Sequence, residues 1–85
     1  MSRKDKLESL IRNRPQAVTF DDLARLLEWY GFSRRETGSS HVYFKHPHLP
    51  ERLSIPRHGS TVKPIYVTMA MELIDRLKEG ANEDD

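Results

Sequence analysis

GFSRRETGSSHVYFKHPHLPERLSIPRH, residues 31–58, divides into three short strands and two connections. Its clearest piece is HVYFK, residues 41–45. Side chains alternate across a strand, so Val42 and Phe44 share one face and His41, Tyr43 and Lys45 the other. Thr37-Gly38-Ser39-Ser40 before it is turn chemistry. Residues 32–36 read as a shorter strand whose weak alternation leaves the facing of Arg34 and Arg35 open. Residues 46–50 form a connection, because Pro47 and Pro50 do not fit a paired strand interior. Residues 52–55 give the third strand, with Leu53 and Ile55 inward and Arg52 and Ser54 outward. Pro56-Arg57-His58-Gly59-Ser60 then leaves the sheet.

On either side the period changes to that of a helix. Residues 2–14 carry Leu7, Leu10 and Ile11 at helical spacing and stop at Arg14-Pro15, since the residue before proline is pushed out of the α region. Thr19 is placed to cap a second helix, with Asp21 and Asp22 in the first turn, where the helix dipole favours negative charge. Phe20, Leu23, Leu27 and Tyr30 form its apolar stripe, widened by Ala24 and Leu26. Gly31 suits the left-handed position after its last turn. Pro64 fits the first turn of a last helix, in which Tyr66, Met69, Ala70, Leu73, Ile74 and Leu77 recur at helical spacing through Lys78. Gly80 is expected to end it, leaving an acidic tail. The order α-α-β-β-β-α predicts an α+β fold, an antiparallel three-stranded meander with helices on one face. His41, Tyr43, Lys45, Arg52 and Ser54 would occupy the other, open face.

The 85 residues suit one domain. Charged residues make up 32% and hydrophobic residues 36%, the balance of a soluble globular chain. No apolar run approaches the ~18 residues of a membrane span, and the N-terminus has no apolar core of a signal peptide. The absence of cysteine excludes disulfides and thiolate metal sites and permits a cytoplasmic location. The net charge of +1 conceals an asymmetry, because Glu79, Glu83, Asp84 and Asp85 all fall at the end. Residues 1–78 hold 14 basic against 9 acidic side chains. From Arg34 to Lys63 there are six Arg or Lys and two Glu. Such a segment favours polyanionic partners, and it equally fits an ordinary solvated surface.

In order along the chain stand a helix ending in Gly31-Phe32, the turn Gly38-Ser39-Ser40-His41 entering a strand, and a strand ending Ile55-Pro56-Arg57-His58. Lys63-Pro64 then opens the final helix. This set resembles the HicA family of bacterial toxins, over roughly residues 18–78. The resemblance implies a fold like that of double-stranded-RNA-binding domains, ribosome-independent cleavage of mRNA, and a HicB-like antitoxin that covers the site. It places the family's catalytic histidine on His41. Residues 1–17 are an extra N-terminal segment relative to shorter members, and the doubled serine leaves open whether Ser39 or Ser40 takes the family serine's role.

The chemistry fits the residue. An imidazole with a pKa near ~6.5 can accept or donate a proton at neutral pH, and RNA carries its own nucleophile in the 2′-hydroxyl. A histidine that removes that proton needs no metal or other cofactor. Gly38, Ser39 and Ser40 can cradle a phosphate with backbone N–H groups and hydroxyls, or simply form a hairpin loop. Arg35, Lys45 and Arg57 are candidates for phosphate contact or transition-state charge, with solvated surface as the plain alternative. Tyr43 can stack a base or pack as a half-buried strand tyrosine. His58 is a candidate second acid–base group or a loop residue. His46 and His48 read as loop residues, with a metal site disfavoured by the proline-bound spacing. The competing functional class is a non-catalytic RNA-binding module of the same fold; a third reading is a partner-binding fragment whose site has decayed.

Overall fold

The computed structural model describes residues 3–57 and 59–83, with side chains through residue 80. Its elements are α1 (Arg3–Asn13), a 3-10 turn (Pro15–Ala17), α2 (Phe20–Trp29), β1 (Ser33–Glu36), β2 (His41–Lys45), β3 (Arg52–Pro56) and α3 (Pro64–Glu83). This is the α+β order expected. The sheet is antiparallel in the order β1-β2-β3, so β2 is central.

Both ends of α2 form as its residues dictate. The Asp22 N–H donates to the Thr19 hydroxyl at 3.1 Å, satisfying a donor the helix cannot. At the other end Gly31 takes φ +97°. The Gly31 N–H then bonds to Glu28 O and the Phe32 N–H to Leu27 O, the paired bonds of a Schellman ending. Phe32 is thereby turned back over the last turn and buried. Strand β1 begins one residue later.

Val42 and Phe44 of β2, with Leu53 and Ile55 of β3, project from one face of the sheet into a buried cluster. Leu23, Leu26 and Leu27 of α2 and Val67, Ala70 and Ile74 of α3 fill the same cluster. Ile11 of α1 enters it as well, so the N-terminal helix belongs to the core. Val18 and Val62 join two connections, the Val62 N–H donating to Val18 O at 2.8 Å.

Four helical and strand details differ from expectation. Leu10 is 62% exposed, while Glu8, which the apolar stripe passed over, is 8% exposed. The helix is rolled so that Glu8 meets Tyr30 Oη at 2.5 Å and Lys78 Nζ at 2.7 Å. On α3, Met69 lies outward and Val67 and Met71 inward. Gly80 does not stop α3, which runs to Glu83, and the tail from residue 79 is therefore helical for most of its length. An interior glycine costs about 1 kcal/mol against alanine, which weakens a helix without ending it. Strand β3 includes Pro56, opposite His41. The neighbouring ladder bond runs from the Arg57 N–H to Ser40 O at 2.6 Å, so the pairing makes no use of the N–H that proline lacks.

Candidate functional site

The site begins at the turn that delivers the chain into β2. Gly38 takes φ +85°, which lets the chain reverse there. The Ser39 hydroxyl accepts the His41 N–H at 3.2 Å and lies 3.3 Å from the Thr37 hydroxyl. Ser39 is thus spent on holding the turn. Ser40 is exposed, and its carbonyl takes the Arg57 N–H. The two serines, equivalent in the sequence, have separated roles: Ser39 is internal to the turn, and the Ser40 hydroxyl has no protein partner among the described residues.

His41 is the first residue of β2 and is exposed, while its neighbour Val42 is buried. Strand alternation therefore puts His41 on the face away from the helices. Strand register orders the rest of that face. His41 stands beside Pro56; the next row is Arg35, Tyr43 and Ser54; the one after is Ser33, Lys45 and Arg52. Successive rows are ~7 Å apart along a strand. The last two rows enclose a shallow depression lined by Ser33, Arg35, Tyr43, Lys45 and Arg52. The Arg52 guanidinium lies over the Tyr43 ring, 4.4 Å from its centre.

Carboxylates pair five basic side chains that lie away from the open face. Arg12 pairs with Asp75 at 2.7 Å, Arg34 with Glu28 at 3.2 Å, Arg57 with Glu36 at 3.1 Å and Lys78 with Glu8 at 2.7 Å. Arg76 pairs with Glu51, whose carboxyl the Arg76 hydrogen bonds hold below its ordinary range. Among the described residues, Arg35, Lys45 and Arg52 have no carboxylate partner. The open face thus presents three uncompensated cations in the two rows behind His41. An anion lying along β2 would meet all three.

Of the predicted site residues, the structure brings His41, Arg35, Tyr43 and Lys45 onto one face, next to the Gly38-Ser39-Ser40 turn. It adds Arg52, which alternation had put on this face without a role. What alternation could not provide was the register that sets Arg52 beside Lys45 and over Tyr43. It removes Arg57. The Arg57 guanidinium lies 5.0 Å from the centre of the Phe20 ring and pairs with Glu36, the register partner of core-facing Val42. Arg57 therefore lies on the helix side of the sheet, with β2 between it and the open face. Strand parity is the reason, since Ile55 points in, Pro56 out and Arg57 in again. His58 falls outside the described residues.

His46 is a loop residue, as expected, but a buried one, 7% exposed. Its Nδ1 accepts the His48 N–H at 3.0 Å, so Nε2 carries the proton and donates to Tyr30 O at 2.9 Å. The ring stands edge-on to Phe32, centres 5.1 Å apart. Both ring nitrogens are committed, and His46 has none left for a metal. This histidine locks the 46–51 connection to the end of α2.

Residues 20–75 match the family model described as the HicA toxin of bacterial toxin–antitoxin. No curated protein and no solved structure matches the chain. The matched span runs from the first residue of α2 to the middle of α3, so it contains the whole sheet and its open face. Helix α1 lies outside it.

Proposed function

From the premise that this chain belongs to the HicA toxin family of bacterial toxin–antitoxin systems, we propose that it is an endoribonuclease that cleaves mRNA in the cytoplasm until a HicB-like antitoxin covers the open sheet face. The observation that carries the reading is the alignment of exposed His41 with three unpaired cations on one solvent-open face.

A single strand of RNA laid along β2 places a phosphate near the turn and its neighbours over the two basic rows. His41 takes the proton of the 2′-hydroxyl. The freed oxygen forms a bond to the adjacent phosphorus, and the bond from phosphorus to the 5′ oxygen breaks. That leaving oxygen takes up a proton from water, and His41 gives its own back to the solvent, leaving a 5′-hydroxyl and a 2′,3′-cyclic phosphate. DNA lacks the nucleophile and is spared. Arg35 is the cation one row from His41, diagonal to it across the strands, and is the residue to balance charge gathering on the phosphate. Lys45 and Arg52 hold the next phosphate. Tyr43, with Arg52 over it, offers a base a flat surface to stack on. The Ser40 hydroxyl and the Gly38 backbone, open to solvent, face the phosphate at the turn. No metal enters this route.

The test is direct. Purified wild type and His41→Ala are incubated with a single-stranded RNA, and with the same oligonucleotide carrying one 2′-deoxynucleotide. Cyclic phosphate ends from the wild type alone, and no cut at the deoxy position, are expected. Cleavage by His41→Ala at the wild-type rate would refute the assignment. Retention of intact RNA by the wild type would favour the non-catalytic RNA-binding module.

A further inference from the structure

We propose that Arg57 is a positioning residue that fastens the turn carrying His41 from the helix side of the sheet and never touches RNA. The inference rests on the reading of His41 as the catalytic base. Its neighbours in the sequence, Pro56 and His58, make Arg57 look like part of a basic substrate cluster, but the structure separates it from that face by the thickness of the sheet.

Two attachments define the device. The backbone N–H of Arg57 donates to Ser40 O at 2.6 Å, immediately before the residue that bears the imidazole. The side chain reaches the other way. Arg57 Nη1 lies 3.1 Å from Glu36 Oε1, and Glu36 is the last residue of β1. The pair therefore runs from the end of β3 to the end of β1, crossing the inner side of β2 where Val42 is buried. Outer strands of a three-stranded sheet are ~10 Å apart, which an arginine and a glutamate can span together but neither can alone. The link sits where the sheet loses its ladder and the turn begins, so it opposes fraying at His41.

The carboxylate is itself held in place. Its second oxygen, Glu36 Oε2, is 3.6 Å from Arg34 Nη1. Arg34 lies over the rings of Phe20 at 5.7 Å and Phe44 at 5.9 Å, against the core. Arg57 rests on the Phe20 ring as well. Two planar guanidiniums on one aromatic ring, with a carboxylate between them, make a defined arrangement where lone surface charges would be mobile. Through Phe20, the first residue of α2, the turn is tied to the helix layer.

A phosphate contact and a clamp make opposite predictions. Arg57→Ala is expected to lower kcat about 10- to 100-fold, as a small misplacement of a catalytic group does, and to leave KM within about twofold. In a His41→Ala background, where RNA is bound and not cut, Arg57→Ala should leave the salt dependence of binding unchanged. Glu36→Gln should lower kcat by a similar factor, and Arg57→Ala combined with Glu36→Gln should be little slower than either single change, because both remove the same link. Amide hydrogen exchange should quicken at His41 and Arg57 in Arg57→Ala and in Glu36→Gln, and remain slow at Phe44. Weaker binding with a shallower salt slope in Arg57→Ala would overturn the proposal, as would fully additive losses in the double variant. The exchange experiment reads the clamp without cleavage, so it stays informative if His41→Ala removes the catalytic reading alone.

Discussion

Replacing Arg35, Lys45 and Arg52 by alanine, singly and together, should act on the salt dependence of RNA binding in a way the structure makes quantitative. Each cation that neutralises a phosphate on a single strand adds about 0.7 to the downward slope of log affinity against log salt. The open face holds three cations without carboxylate partners, which gives a slope of about −2. Affinity should then fall about 20-fold between roughly 50 and 200 mM salt. Each alanine should remove about 0.7 from the slope, and the triple variant should bind almost without salt dependence. The assay is fluorescence anisotropy of a labelled single-stranded RNA with His41→Ala protein, so that nothing is cleaved during the titration. Arg76→Ala is the internal control, because Arg76 lies on α3, is already paired with Glu51 and neutralises no phosphate on the open face. An unchanged slope in the triple variant, or an equal loss in Arg76→Ala, would refute the assignment of the open face.

Two further substitutions test the framework that holds this face. Burial pushes the Glu8 carboxyl up, but hydrogen bonds from Lys78, Tyr30 and Arg12 outweigh it and lower its pKa from 4.5 to about 2. A depressed value stabilises the fold fully above the ordinary carboxylate range and is lost as pH falls toward about 2. Glu8→Gln should therefore cost about 2 kcal/mol in urea unfolding near neutrality, and the gap to wild type should close as the medium is acidified below about pH 4; a constant gap across that range would contradict it. Gly31→Ala forces alanine into φ +97° and brings its Cβ to 3.0 Å from His46 Nε2. A loss of about 2 kcal/mol is expected, with displacement of the His46 ring visible in its NMR shifts. Wild-type stability and unmoved His46 resonances would show that the connection is not locked as described.

What was legible in the sequence, and what was not, follows the range of the interactions. Thr19 and Gly31 bond to groups three or four residues away, so α2 could be bounded by local chemistry. Val42 and Phe44 declare their face through alternation alone, and that is enough to expose His41. Glu8 could not be read this way. Its partners Tyr30 and Lys78 lie 22 and 70 residues further on, and only the packed fold shows that a glutamate is better placed inward than Leu10. Arg57 was legible in principle. Carrying the alternation of β3 one step through Pro56 turns it inward, but a proline taken as the end of a strand hides that parity. The choice between Ser39 and Ser40 depends on a hydroxyl bonding back to the His41 N–H, a matter of turn geometry rather than of residue type.

The contact between Glu8 and Lys78 also bears on when the molecule becomes whole. A ribosome releases α1 before α3. The sheet and its open face are complete in the chain by residue 57, yet the ammonium that holds Glu8 arrives only when residue 78 has emerged. Until then the carboxylate stays in water or keeps only Tyr30 and Arg12, and burying α1 is the less favourable. A polypeptide cut short before Lys78 has every residue of the open face and lacks the ammonium that offsets burial of Glu8. Packing of α1 is in this way tied to the arrival of residue 78, and a product that stops before it carries the open face without the bond that steadies α1.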